Sequence, residues 1–390
     1  MTHLQEKHYF IKKICNFVCC DIYGISNTGS TTFSHNTYKY LIMKYYLSRD
    51  YKSKLINSAG SKARMDIEKI LSQNEYIAIG KSTVSKNKIR HFILTLAIVA
   101  RIPFTLTKGD ILVLQYPTKY YSFICRIAHL LKARVVTFIH DLSCFRTKHN
   151  SARKEIHIMN KSDALIGCNP TICKWLTDNG FVGHNKRKIV EPLNIFDFIS
   201  ASESTDKRNT WPQHKIVYAG QLARKKNTFL YTYGKYIKNY TVNIYGKGLD
   251  ISNMAHPERF NLKGFVLPED LIRSVEGDFG LVWDGDSIEC CSGNWGEYLA
   301  INTPHKISLY IRCGLPILIW SKAAMADFIK KNKIGICIDT LHDINKIYDT
   351  LTKEDYTDMC ENVRNISRQM SEGKYFNDAI LRVISRLYIK

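Results

Sequence analysis

Short apolar runs alternate along this chain with segments whose apolar residues recur at helical spacing, and that alternation sets the expected fold. Met43-Lys44-Tyr45-Tyr46-Leu47-Ser48 reads as an opening strand. Ala63 to Leu71 predicts a helix, Tyr76 to Ile79 a short strand, and Asp110 to Pro117 a buried strand stopped by proline. The pattern continues with a helix from about Tyr121 to Lys132, a strand from Arg134 to Ile139 and a helix near 151–160. A strand at Asp163 to Gly167 and a helix from Pro170 to Asn179, ended by Gly180, complete this part. Residues 199–214 are polar and carry a proline, a linker by composition.

Beyond the linker the alternation restarts. Strands are expected at Lys215–Ala219, Thr241–Tyr245, Gly280–Trp283 and Pro316–Trp320. Helices are expected from about Asn227, over Lys306–Cys313 and Ala323–Lys330, and as a final pair between Lys353 and Leu387. Strands alternating with amphipathic helices predict parallel sheets covered on both faces, an α/β class with two domains at 43–198 and 215–390. Residues 1–42 are rich in turn formers and hold no sustained period. They read as an extension outside the fold, with Met43 as its natural start, or else as an element packed on the first domain. The apolar stretch from Ile14 to Cys20 is broken by Asn16 and has no clear cleavage site, so it is not read as a signal peptide.

Composition narrows the class. Of 390 residues, 45% are apolar, which excludes a disordered chain or a small disulfide scaffold. The run nearest to a membrane span, Phe92 to Ala100, meets Arg101 and is too short to cross a bilayer. Twelve cysteines without a C-x-x-C pair read as reduced thiols of a cytoplasmic protein. Lys and Arg number 56 against 35 Asp and Glu, a formal charge of +21. Such a charge favours a polyanion: nucleic acid, an anionic membrane face or a phosphorylated substrate.

Candidate chemistry sits where strands end, because open parallel sheets bind ligands there. Tyr218-Ala219-Gly220 runs into Arg224-Lys225-Lys226, a glycine turn and three cations suited to a diphosphate, or simply a solvated basic turn. Asn302-Thr303-Pro304-His305-Lys306-Ile307-Ser308 opens a helix that Thr303 would cap, with Lys306 and Ser308 near its positive end. Phe138-Ile139-His140-Asp141 ends a strand in two groups able to act as a general base. Asp284-Gly285-Asp286 has two carboxylates, but no clustered ligands lie near it in sequence, and it reads as a strand-end turn lining the cleft rather than a metal site.

The block from Phe279 through Phe328, with W-D-G-D-S-I-E at 283–289 and N-T-P-H-K at 302–306, closely resembles bacterial β-1,6-galactofuranosyltransferases of O-antigen assembly. It is also similar to the glucosyltransferases that extend serine-rich surface glycoproteins. Tyr218–Tyr231, Phe138–Asp141 and Ala59-Gly60-Ser61-Lys62-Ala63-Arg64 match the same family in the same order, and the match runs from about Met43 to the C-terminus. The resemblance implies a GT-B transferase with two Rossmann-like domains, which uses a nucleotide sugar, inverts the anomeric centre and needs no metal or other cofactor. Arg224 and Lys306 would hold the donor diphosphate with Ser308 nearby, and Gly60 and Lys62 would form the first-domain wall of that site. Gly220, Asp284, Asn302 and His305 would complete the nucleotide-sugar set. Asp141 is the candidate base and His140 the alternative. The motif wording lies nearer the galactofuranose branch, which puts UDP-galactofuranose first and UDP-glucose on a protein-linked glycan second.

The expected acceptor is a glycan, lipid-linked, at the inner face of the cell membrane, with peripheral contact to anionic lipid; a homo-oligomer is compatible with this. Segment 199–214 would be the hinge on which the cleft closes. The rival class is a non-enzymatic basic protein binding nucleic acid or membrane. No nucleic-acid motif is recognisable and the cations are spread along the chain, so nucleic acid is not expected as a partner.

Overall fold

The computed structural model describes residues 42–48, 50–52, 59–80, 83–85, 88–146, 151–204 and 211–388. The readings made for residues 1–41, and part of the linker, lie outside them. The first half contains β1 (Lys44–Leu47), β2 (Asp50–Lys52), β3 (Ile77–Ile79), β4 (Thr83–Ser85), β5 (Ile111–Tyr116), β6 (Arg134–Ile139), β7 (Ala164–Gly167) and β8 (Ile189–Pro192). β2 pairs with β4, and the other six form a parallel sheet ordered β3-β1-β5-β6-β7-β8. The second half contains β9 (Lys215–Gln221), β10 (Thr241–Lys247), β11 (Phe260–Gly264), β12 (Phe279–Val282), β13 (Ile317–Trp320) and β14 (Gly335–Ile338). These strands are also parallel, ordered β11-β10-β9-β12-β13-β14.

The chain order reverses between β1 and β5 in the first sheet and between β9 and β12 in the second. Each reversal opens a crevice at the carboxyl ends of those strands. Central strands such as β7 and β12 are buried at every position, as a sheet covered on both faces demands. Helices supply the cover: Ala63, Ile67, Ile70 and Leu71 of the Ala59–Gln73 helix recur every three to four residues and are all buried. Asn169 starts the Pro170–Asp178 helix, its side-chain oxygen accepting the Ile172 N–H at 2.8 Å.

Several elements were not foreseen, among them β2, β4 and the helices Pro268–Ser274, Gly293–Tyr298 and Asp343–Thr350. β8, β11 and β14 lie at sheet edges, where four- and five-residue runs with partly exposed faces carry little apolar signal. The Lys88–Thr105 helix is apolar on more than one face and so lacks a clean amphipathic period.

The domain division also needs one correction. The helix Lys353–Ser371 packs on the second core, but the last helix, Lys374–Tyr388, returns to the first, burying Phe376, Ala379, Ile380, Val383 and Leu387 there. Its start is held by Asp197, whose buried carboxyl oxygens accept the Tyr375 and Phe376 N–H groups at 3.2 and 2.7 Å. The chain therefore passes between the halves twice, and Asp197 joins the two passages. Part of the expected linker is also fixed: Ile199 and Ser202 are buried, and Trp211 stacks on Tyr356 at 4.3 Å.

Candidate functional site

At the reversal in the second sheet, β9 closes with Gly220 and Gln221, and β12 is followed by Trp283 and Asp284. Gly220 has φ +139°, a conformation that other L-residues rarely adopt, so the turn out of β9 depends on glycine. Asp284 is buried and both its oxygens face cations: Lys306 Nζ lies 2.9 Å from Oδ1 and Lys226 Nζ 3.4 Å from Oδ2. The Tyr218 hydroxyl lies 3.0 Å from the same carboxylate and 2.7 Å from Asn227 Oδ1, and the Lys306 ammonium sits 4.3 Å from the Tyr218 ring centre. Burial draws the Lys306 ammonium down to about 8, with Asp284 acting in the opposite direction.

Lys306 belongs to the first turn of the His305–Arg312 helix, whose N-cap is Pro304, without a side-chain cap. Thr303 does not cap it. Its hydroxyl instead donates to the Cys168 carbonyl at 3.1 Å and accepts from the Asn169 amide at 3.0 Å, tying the two halves together. The open N–H groups at that helix start, with the dipole behind them, favour an anion. Asn302 Oδ1 and His305 Nε2, beside this helix start, are buried with no hydrogen-bond partner among the described residues. Burial, reinforced by Lys62, holds the His305 imidazole down to about 3, so it is neutral and offers a hydrogen bond rather than a charge.

The first half approaches the same helix. Lys62 Nζ donates to Asp66 Oδ1 at 2.5 Å and to the Ile199 carbonyl at 2.6 Å, over the Phe198 ring. His140 Nε2 lies 2.6 Å from Gln115 Oε1, and its ring is parallel to Phe196, which in turn meets His305 at 5.2 Å between centroids. Asp141 accepts a hydrogen bond from the hydroxyl of Tyr298, a residue of the second half. Groups from β6, from the Ala59–Gln73 helix and from the second sheet's crevice are thus linked across the interface between the halves.

Not every expected residue is placed as the sequence suggested. Arg224 is exposed and lies over Tyr231, 5.1 Å from the ring; of the three consecutive cations it is Lys226 that shares Asp284 with Lys306. Ser308 is fully buried and its hydroxyl donates to the Phe196 carbonyl at 2.8 Å, so it braces the helix and does not face the crevice with a free donor. Gly60 is exposed in the first turn of its helix with open space around it. Asp286 is exposed, whereas Asp284 is buried. Tyr298 was not singled out in advance, and Lys226 was named only as one of three consecutive cations, with Arg224 chosen from them. Lys226 could be found from the cationic triplet, whereas no local signal marks Tyr298.

Comparison with known proteins shows the family and the fold. Residues 44–191 match the family described as glucosyltransferase 3-like, N-terminal domain, and residues 216–383 match its C-terminal domain. The chain is 33% identical to the β-1,6-galactofuranosyltransferase WbbI of Escherichia coli over 84% of its own length and 95% of that protein's. It is 27% identical to glucosyltransferase 3 of Streptococcus gordonii, over 71% of this chain and 81% of that one. Among solved structures, Anabaena HepE in complex with UDP and glucose aligns with a TM-score of 0.55 at 11% identity, covering 88% of this chain and all of that one. The likeness is one of fold, two Rossmann-like domains in the GT-B arrangement.

Proposed function

The chain belongs to the glucosyltransferase 3-like family of glycosyltransferases, and from that premise we propose that it moves a hexosyl unit from a UDP-sugar to a glycan acceptor in cell-surface polysaccharide synthesis. The observation that carries this reading is the pair of lysines on Asp284 at the β9–β12 crevice, beside a helix start that no side chain caps. A diphosphate fits there because it exchanges one buried carboxylate's hold on the lysines for its own charge and meets the open N–H groups. Both Asp284 oxygens face ammonium groups, so lysines rather than a metal ion answer the leaving group's charge in this reading.

Asp141 is assigned the proton. The acceptor hydroxyl transfers its proton to the Asp141 carboxylate while its oxygen attacks the anomeric carbon from the face opposite UDP. The bond from that carbon to the diphosphate oxygen breaks, and its electron pair leaves with UDP, giving inversion. Lys306 and Lys226 stabilise the charge that gathers on the leaving oxygen. Tyr298, donating to Asp141, holds the carboxylate in place across the interface between the halves. A hollow at the first sheet's reversal, lined by Ser48, Arg64, Glu68, Gln115 and Thr118, supports placing acceptor hydroxyls on this side.

The 33% identity to WbbI favours galactofuranose as the transferred unit. The match to glucosyltransferase 3 favours the second reading, transfer of glucose. Calorimetry with UDP-galactofuranose, UDP-galactopyranose and UDP-glucose, followed by linkage analysis of the product, separates them. Absence of binding to any UDP-sugar sinks the whole reading.

A further inference from the structure

We infer that the outer face of the Lys88–Thr105 and Tyr121–Leu130 helices docks on an anionic lipid bilayer. The first of these helices buries Ile98, Val99 and Ile102 against the sheet. Its other side is also apolar: Phe92, Ile93 (58% exposed), Leu96 and Phe104 (91%) face outward at spacings of three, four and eight residues. The neighbouring helix adds Phe123 and Leu130 (76%), one on each side of Arg126 on the same helical face. Six large apolar side chains on two adjoining helices form a patch that a protein surrounded only by water rarely presents.

Charge identifies the occupant. Between residues 76 and 140 the sequence holds ten Lys and Arg and a single carboxylate, Asp110. That carboxylate is buried and occupied, accepting the Met43 N–H, the Thr107 N–H and the Thr107 hydroxyl. Arg101, Lys108, Lys119, Arg126 and Lys132 are exposed on or beside the two helices. A hollow next to Leu130 is lined by Arg126 and Lys161, a seat suited to a lipid phosphate. An apolar face ringed by cations and free of exposed acids complements a negative bilayer surface, with the side chains in the acyl boundary and the cations at the headgroups. The 18-residue helix lies on the surface and does not span it, since no helix among the described residues is long and apolar enough to cross a membrane.

This inference concerns a surface remote from the lysine pair and is tested separately from the donor reading. The full chain is sedimented with vesicles of phosphatidylcholine alone and with 30% phosphatidylglycerol, at low and high salt, while UDP binding is followed by calorimetry. At least tenfold more protein is expected on the anionic vesicles, with most of it released by salt. The variants Phe104→Ser with Leu96→Ser, and Arg101→Glu with Arg126→Glu, are each expected to lower vesicle binding at least tenfold and to leave UDP binding unchanged. The inference is overturned if the wild-type chain ignores anionic vesicles, or if both variants bind them as before. It is equally overturned if the substitutions only dissociate an oligomer of this chain, because the face would then be covered by a second copy.

Discussion

The Lys306 ammonium lies 2.9 Å from Asp284 Oδ1, and neither side chain exposes more than 8% of its surface. A charge pair this far from water would ordinarily be left alone by a folding chain, because desolvation offsets most of its Coulomb attraction. It stands at the start of a helix that no side chain caps, with Lys226 on the carboxylate's other oxygen, and in the proposed function it offers positive charge to the donor diphosphate. Lys306→Ala is expected to lower turnover by roughly 10²-fold or more. The melting temperature should change little by comparison, since Lys226 still faces Asp284. Steady-state rates and thermal melts on the same preparation check this, and full activity in the variant would show that the donor diphosphate lies elsewhere.

The same burial gives a pH signature. Lys306 loses its proton at about 8 in the free protein, well below the ordinary lysine value. UDP affinity should therefore fall as pH rises above 8, by at most about tenfold per pH unit for one proton. In Lys306→Ala that slope should vanish, and calorimetry between pH 7 and 10 compares the two.

Asp141 and Tyr298 come from different halves and share a hydrogen bond. Asp141→Asn is expected to reduce turnover about 10²–10⁴-fold with donor binding retained, the range for a lost general base. Tyr298→Phe should have a smaller effect, on turnover rather than donor affinity. If Asp141→Asn keeps its rate while His140→Ala loses it, the base is His140.

Asp197 links the two passages between the halves. Asp197→Ala leaves one buried and one half-buried N–H group without their acceptor, which costs about 1–3 kcal/mol each at most. Burial raises the Asp197 carboxyl from its ordinary value to about 8, so between about pH 4 and 8 the folded chain holds a proton that the unfolded chain has lost. This contribution to stability is full below about pH 4 and is lost as pH rises through 8. Asp197→Asn should flatten that decline, as read by urea denaturation at several pH values.

Gly280 faces the ring of Tyr310, and a Cβ there would overlap it. The Tyr310 hydroxyl accepts the Ala219 N–H at 2.7 Å, one residue before the turn at Gly220. Gly280→Ala should destabilise the chain by about 1–3 kcal/mol through overpacking. It should also weaken UDP binding in the fraction that folds, which melting and calorimetry together report.

The central strands were readable because they are buried on both faces and so are apolar throughout, as β7, β12 and β13 are, or nearly so, as β5 and β6 are. The first turn of the His305–Arg312 helix was readable in outline for a related reason: proline and the residues around it punctuate the chain locally. Arg224 shows the limit. Three cations in a row are equivalent in sequence, and only the path of the backbone after Gly220 turns Lys226 toward Asp284 while Arg224 lies over Tyr231.

Sequence alone determined the α/β class, and it pointed to a division into two halves and to Lys306 and Asp284 as candidates, since each rests on local periodicity or a short motif. Tertiary structure decided what depends on contacts between distant segments. It gave the last helix to the first core, turned Ser308 into a brace and Thr303 into a tie, and set Tyr298 on Asp141, 157 residues away. Periodicity reports which face of an element is buried; it holds no information on which other element buries it.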